Sequence, residues 1–350
     1  MGIEGKKINR RDLLKGASAL AITASLGGDT LTGMNEGLAN DAEKRSKTPL
    51  ERAFGDELVI GGETTEVIDI QPESPSTRPL TLVAPGFNAS IHTNSPMLEM
   101  LADNDRRVLS LNQPREASEI GNLSLNEWEK IASFPRSELQ KASNLLELLD
   151  KKDVSEKVNV LAFSEGALNT LLAAYLRPEK FNSIVLSAPA GLIGSDNLIS
   201  LALRYRSQAQ TDNSIGIPSR KDFVSQFPEL AAQEQAMIDH IAAAWKDDEV
   251  EAGKHKLASI KDLLALSTMQ IDDLVAFART AGIKVAVIAG VDDQAFPAET
   301  MAKRLPKDSL DGFLSVRAAH GPQYSARIVN YLFDLLNAKR EKEARANTSH

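Results

Sequence analysis

Short apolar runs alternate with longer amphipathic stretches through most of this chain, and that alternation predicts its elements. Residues 56–70, DELVIGGETTEVIDI, read as two short strands around Gly61-Gly62, a hairpin signal. RPLTLVAPGF (78–87) predicts a buried strand ending in a Pro-Gly turn, and RRVLSLNQP (106–114) another, stopped by Pro114. SELQKASNLLELLDKK (137–152) spaces its apolar residues for one helix face, with charge on the other. VNVLAF (158–163) predicts a strand and a helix follows from residue 165. FNSIVLSAPAGL (181–192), KVAVIAG (284–290) and GFLSVRAA (312–319) predict further strands, the last two separated by the helical AETMAKRL. A final helix is expected over 323–339, and residues 341–350 as a disordered polar tail.

Strands alternating with amphipathic helices predict an α/β architecture, a doubly wound and mainly parallel sheet. From 193 to 282 the rhythm breaks and only helical patterns remain. Leu230, Met237, Ile238, Ile241 and Trp245 share one face, and 260–278 behaves similarly. An all-helical insertion between sheet strands reads as a cap over the strands' C-terminal edge, where open α/β sheets bind ligands. The expected core is therefore 56–192 plus 283–340, and the cap 193–282.

Composition narrows the chemistry. A net charge of −8 over 350 residues favours neither nucleic acid nor an anionic membrane as partner. The absence of cysteine excludes disulfides, thiolate metal sites and a Cys nucleophile. Five histidines, at 92, 240, 255, 320 and 350, are too few and scattered for a His-rich metal centre. The first 39 residues read as a leader, with a basic stretch, a weakly apolar run too short to span a bilayer, and the small-x-small site Gly37-Leu38-Ala39. NRRDLLK (9–15) resembles the twin-arginine export signal, with Asn9 for the usual Ser/Thr and Leu13 for the usual Phe. That resemblance implies export to the periplasm or beyond, with the twin-arginine machinery as partner of the precursor. Residues 40–55 are polar and read as a linker.

The reactive candidate sits in LAFSEGALNT. Ser164 follows a strand and precedes a helix, with small residues two before and two after it, Ala162 and Gly166. A Ser hydroxyl needs a base within hydrogen-bond reach and donors for the developing oxyanion, and a sharp strand-to-helix turn supplies part of both. Taken alone, a Ser between small residues is also common at inert turns. The rest of the chain offers partners. LVAPGFNAS (82–90) is a turn in which Gly86 permits close approach and the Phe87 amide is a candidate oxyanion donor. The amide of Glu165 is the other; its side chain reads as a solvent-facing carboxylate favoured by the helix dipole. Asp292 and Asp293 follow one late strand, and His320 follows the last.

With Ser, Asp and His in that order at strand ends, residues 56–340 resemble the α/β-hydrolase family with a helical cap inserted after the sixth strand. The common Gly-x-Ser-x-Gly is here Ala-x-Ser-x-Gly, and the usual His-Gly of the oxyanion turn is Pro85-Gly86. The family's Gly-x-x-Asp-x-x-Phe-Pro pattern matches Gly290, Asp293, Phe296 and Pro297, which implies Asp293 rather than Asp292 as the acid. The resemblance implies a serine hydrolase acting on a small acyl substrate, with catalytic Ser164, Asp293 and His320, oxyanion donors Phe87 and Glu165, and no cofactor or metal. Esterase or lipase, aminopeptidase, thioesterase and carbon–carbon bond hydrolase all remain open, as does a non-catalytic binding protein on the same fold. His92 reads as a loop or pocket residue, His240 as packing or surface, and His255 as solvated; Trp128 and Trp245 read as core anchors.

Overall fold

The computed structural model describes residues 56–72, 76–115, 133–194, 254–306, 309–316, 320 and 326–348, with isolated residues between 196 and 250. The leader, the linker, the helical pattern at 228–245, Trp128 and His240 all lie outside the described residues. So do the last three residues expected in the strand at 312–319.

The strands form one eight-stranded sheet. β1 (Asp56–Ile60) and β2 (Glu63–Ile70) make the expected hairpin, with Ile60 opposite Glu63. Gly61 and Gly62 both have positive φ, 60° and 83°, as a two-residue turn matched to strand twist requires. β3 (Thr81–Ala84), β4 (Val108–Leu111), β5 (Val158–Phe163), β6 (Phe181–Ser187), β7 (Lys284–Gly290) and β8 (Gly312–Val316) follow. The order is β1-β2-β4-β3-β5-β6-β7-β8; β2 meets β4 antiparallel, and every pair from β4 to β8 is parallel.

Strands β3 to β6 are buried along their whole length, which is why they read as continuous apolar runs. Successive side chains divide between the two faces with period two. Leu82, Leu109, Val160, Ile184 and Val285 join a core with α2 (Arg136–Lys151), α3 (Gly166–Leu176) and α5 (Asp272–Thr280). Val83, Val108, Leu161, Val185 and Ala286 face the other way, against α1 (Ser95–Ala102) and α7 (Ala326–Thr348). Two further α-helices are α4 (Lys256–Thr268) and α6 (Ala298–Arg304).

The structure corrects the sequence reading in three places. Helix α1 was not signalled; it is short, begins beside Pro96, and is packed by Met97, Leu98 and Leu101 in the α7-side core. The single helix expected over 260–278 is two, because the chain turns at 269–271 to bury Ile271, whose N–H donates to the Gly191 carbonyl. The tail expected to be disordered from 341 is instead a continuation of α7 to Thr348.

Its charges explain the third correction. Lys284 reaches Glu343 at 2.6 Å, Lys339 reaches Asp311 at 3.0 Å, and Arg345 faces Glu341 one turn away. Further back, the buried Arg106 donates to Asn330 at 2.6 Å and Asp334 at 2.9 Å, and its guanidinium lies 5.1 Å from the centre of the Phe333 ring. Polar residues that look dispensable in sequence thus fasten α7 to the sheet. The hub is Asp311, with a side chain 2% exposed, which accepts from the Val285 amide at 3.0 Å and pairs with Arg279 and Lys339.

Burial alone would raise the Asp311 carboxyl, but the Val285 amide and the Lys339 and Lys284 ammonium groups outweigh it and hold it below the ordinary value. A carboxyl depressed in the folded state stabilises above its unfolded pKa of about 3.9 and loses that contribution as pH falls through the folded value. Asp311→Asn is therefore expected to lower the urea midpoint at neutral pH, with the gap to wild type closing on acidification. A gap that stays constant with pH would assign the loss to packing alone.

Candidate active site

Where β5 ends, the chain reverses into α3 with Ser164 at φ 51°, a left-handed conformation that a β-carbon disfavours. The surrounding backbone holds it there. The Ser164 N–H donates to Ser187 O at 2.9 Å, and Ser164 O accepts from Ala167 and Ala190. The space is as tight as the small flanking residues suggest. A β-carbon on Gly166 would lie 2.4 Å from the Ala84 carbonyl oxygen and 2.8 Å from that of Pro85. One on Gly86 would lie 3.1 Å from Ser164 Cβ, so the two turns are in contact. Ala162, where Gly is commoner, is fully buried and pairs with Ala84 across the sheet, so its methyl group is accommodated in the core.

The other candidates converge on that turn from distant segments. His320 Nε2 lies 3.1 Å from Ser164 Oγ, and His320 Nδ1 lies 2.8 Å from Asp293 Oδ2. With the ring proton on Nδ1, the imidazole donates to the carboxylate and Nε2 accepts from the hydroxyl. Asp293 is 2% exposed, and its second oxygen accepts from the Phe296 N–H at 2.8 Å, which fixes the carboxylate plane. The neighbouring Asp292 is exposed. Phe163 and Phe296 flank the His320 ring, with centroids 5.1 and 5.3 Å away. Such a row can pass a proton from Ser164 to His320 while Asp293 balances the charge formed.

On the oxyanion side, Phe87 is half-buried in the turn after β3 and packs against the larger core. Glu165 is the N-terminal flanking residue of α3, and among the described residues its N–H donates to no acceptor. A buried amide left in this way, at a helix N-terminus beside a Ser hydroxyl, is a ready donor to a developing negative charge.

The Glu165 side chain overturns its expected place in solvent: the residue is 2% exposed. Its carboxylate meets Lys141 Nζ at 2.7 Å, and the same ammonium meets Asp262 at 2.8 Å and Glu138 at 3.8 Å. Glu138 and Lys141 lie on the face of α2 that the sequence pattern leaves to solvent, and α4 covers them. Burial, with Glu165 and Asp262 close by, pushes the Glu138 carboxyl well above the usual range. Both Glu138 oxygens are buried and, among the described residues, accept no hydrogen bond, in keeping with a carboxyl whose charged form is disfavoured. Burial also raises Glu165, against the opposing pull of Lys141. Desolvation would lower Lys141, but the three carboxyl groups raise it above the ordinary lysine value.

This cluster was not legible as a site. The i,i+3 spacing of Glu138 and Lys141 is that of any solvated helix pair, and Asp262 is remote in sequence. Among the described residues, the three acidic side chains are also the ones that converge closely enough for a metal ion, within 4.8 Å of one another. The ammonium of Lys141 occupies their midst, so the cation they hold is the protein's own.

The remaining candidates settle as follows. A cavity walled in part by Gly86 and Glu165 adjoins the site; His92 lies 2.9 Å from Glu66 and is not among the residues that line it. His255, expected to be solvated, is half-buried in that cavity's wall. Removing Lys141 with Lys141→Met leaves Glu165 and Asp262 buried without their cation, an expected loss of about 3–5 kcal/mol in urea unfolding. Glu138→Gln keeps the neutral state and is expected to cost far less. Because the Glu138 pKa is raised in the folded chain, stability falls as pH climbs from the ordinary carboxylate range toward the folded value. The Gln variant is expected to remove that slope, and an unchanged slope would show that Glu138 does not carry the proton.

No protein-family model matches the chain, and a search of curated protein sequences finds no significant match. Solved structures do match. A hydrolase from Pseudomonas aeruginosa is similar at a TM-score of 0.51 and 16% identity, over 81% of this chain and 97% of that one. The enol-lactonase of Burkholderia xenovorans matches at 0.51 and 14%, over 81% and 98%. A thermophilic esterase of Thermogutta terrifontis matches at 0.50 and 15%, over 82% and 99%. At such identities the likeness is one of architecture, and with the sheet order above it establishes that this chain has the α/β-hydrolase fold.

Proposed function

We propose that this protein is a serine hydrolase that cleaves an ester or other acyl substrate through an acyl-enzyme on Ser164. The observation that carries the reading is the hydrogen-bonded row Ser164–His320–Asp293, with contacts of 3.1 and 2.8 Å. His320 Nε2 takes the Ser164 proton as Oγ bonds to the acyl carbon, and the carbonyl electrons move to its oxygen. The amides of Glu165 and Phe87 stabilise that oxyanion. Collapse expels the leaving group, which receives the proton from His320. Water then repeats the sequence on the acyl-enzyme, with His320 as base, and Ser164 leaves with its proton restored. Asp293 holds the ring in the tautomer this requires and offsets its transient positive charge.

A fluorophosphonate probe is expected to label the wild type, and not Ser164→Ala. Absence of labelling in folded protein, or labelling that survives the substitution, would remove the nucleophile assignment. In turnover of short p-nitrophenyl esters, His320→Ala is expected to lose about 10²–10⁴-fold. Asp293→Asn is expected to fall on the order of 10⁴-fold, as when a triad His is left in the wrong tautomer. Asp292→Asn, at an exposed position, is expected to retain most activity. Small, equal losses in the two Asn variants would eliminate Asp293 as the orienting acid.

The reading extends to location: we propose export by the twin-arginine route, supported by Arg10-Arg11 and the Leu13-Leu14-Lys15 that follows. Replacing both arginines with lysine is expected to abolish recovery in the periplasmic fraction. Unchanged export would reject that route.

A further inference from the structure

A cavity of about 670 Å³ opens beside the oxyanion turn, and Gly86 and Glu165 belong to its wall. Its other walls come from the ends of β2 and β4, the start of α2 and the start of α4. Ester hydrolysis by a Ser-His-Asp row requires no charge in such a place, yet the wall is rich in cations: Arg115, Arg136, Lys141, Lys254 and Lys261, against Glu63, Glu165 and Asp262. Lys141 is spent on Glu165 and Asp262. Arg115 donates to the side-chain oxygen of Asn88, a neutral group that also lines the cavity. Among the described residues, Arg136 and Lys261 form no ion pair with a carboxylate, and Arg115 acts only at longer range on Glu165. In a chain of net charge −8 that local excess runs against the average.

Neutral groups in the same wall point the same way. Gln113 accepts from Asn144 through its oxygen, which turns its amide nitrogen away; that nitrogen is buried and, among the described residues, has no acceptor. The N-terminal turns of α2 and α4 also contribute wall residues, Arg136 and Ser137 from one, His255 and Ala258 beside the other, and neither terminus has a side-chain cap. A helix N-terminus without such a cap carries partial positive charge, which adds to that of the side chains. Arginine, lysine, an orphaned amide donor and helix N-termini are the groups that recognise a carboxylate.

We propose that this cavity takes a carboxylate carried on the acyl part of the substrate, so that the preferred ester is a monoester of a short dicarboxylic acid. The inference rests on the serine-hydrolase reading, since it places the carboxylate on the side of the oxyanion turn away from the triad. Oγ of Ser164 bonds to the ester carbonyl, the bond to the alcohol breaks, and the distal carboxylate stays ionised throughout. The released product is the dicarboxylate.

The test compares p-nitrophenyl hemiglutarate with its methyl ester, which differs only in lacking the charge. At low ionic strength kcat/KM is expected to favour the free carboxylate by roughly tenfold or more, a value typical of one charge-assisted hydrogen bond. Added salt is expected to shrink that ratio. The combined variant Arg115→Gln, Arg136→Gln, Lys261→Gln is expected to bring it close to one. A wild-type ratio at or below one, or a ratio the variant does not move, overturns the proposal. Labelling of Ser164 by a neutral fluorophosphonate separates the two readings: labelled protein without the charge preference defeats this inference alone. In protein that neither labels nor turns over either ester, calorimetric titration with glutarate decides the cavity's role. Binding lost in the triple variant would sustain it, and no binding would end it.

Discussion

The close crossing of β5 and α3 over the end of β3 is the constraint on which the site depends. Ser164 can stand at φ 51° because hydrogen bonds to Ser187, Ala167 and Ala190 hold the turn against the steric cost. The helix can leave so steeply because Gly166 carries no β-carbon where the Ala84 and Pro85 carbonyls pass. This strain of about 1–3 kcal/mol has to be offset elsewhere. The continuous burial of β3, β5 and β6 and the two-sided core supply the offset, since any relaxation of the turn would shift strands packed on both faces.

A second consequence of the crossing is chemical. The residue after Ser164 lies at a helix start, and in this chain that residue is Glu165. One of its groups is a backbone amide at the helix N-terminus beside Ser164; the other is a carboxylate directed into a buried cluster. Through Lys141 the carboxylate is joined to α2 and, through Asp262, to α4, which belongs to the region expected to cap the sheet. Charges this deeply buried tolerate little displacement, because desolvation has been incurred and only the short contacts compensate for it. The turn at Ser164, α2 and α4 are therefore held in one electrostatic unit. The cavity shares Lys141, Glu165 and Asp262 with this unit.

Much of the fold was legible from the residues. β5 and β7 run over the spans their apolar stretches indicate, and the hairpin turns at Gly61-Gly62 as expected. Element ends were less legible. The helical pattern over 260–278 gave no sign of the turn that buries Ile271, since a buried apolar residue suits a helix and a break equally. Residues 341–348 look like any charged tail, and only their pairing with Lys284 and their continuity with an anchored α7 keep them helical.

The sequence by itself determined the local chemistry: a Ser between small residues after a strand, and an Asp and a His after later strands, each pattern dictated by backbone sterics within a few residues. Tertiary structure decided what those patterns could not encode. It brought Asp293, the acid implied by the Gly290–Pro297 pattern, from a distant segment against His320, and the Phe296 amide holds its second oxygen. It also buried Glu165, Lys141, Glu138 and Asp262 together, although each reads alone as a solvated charge. Burial of a charge is a property of what lies on top of it, and the covering helix here is roughly a hundred residues away in the chain.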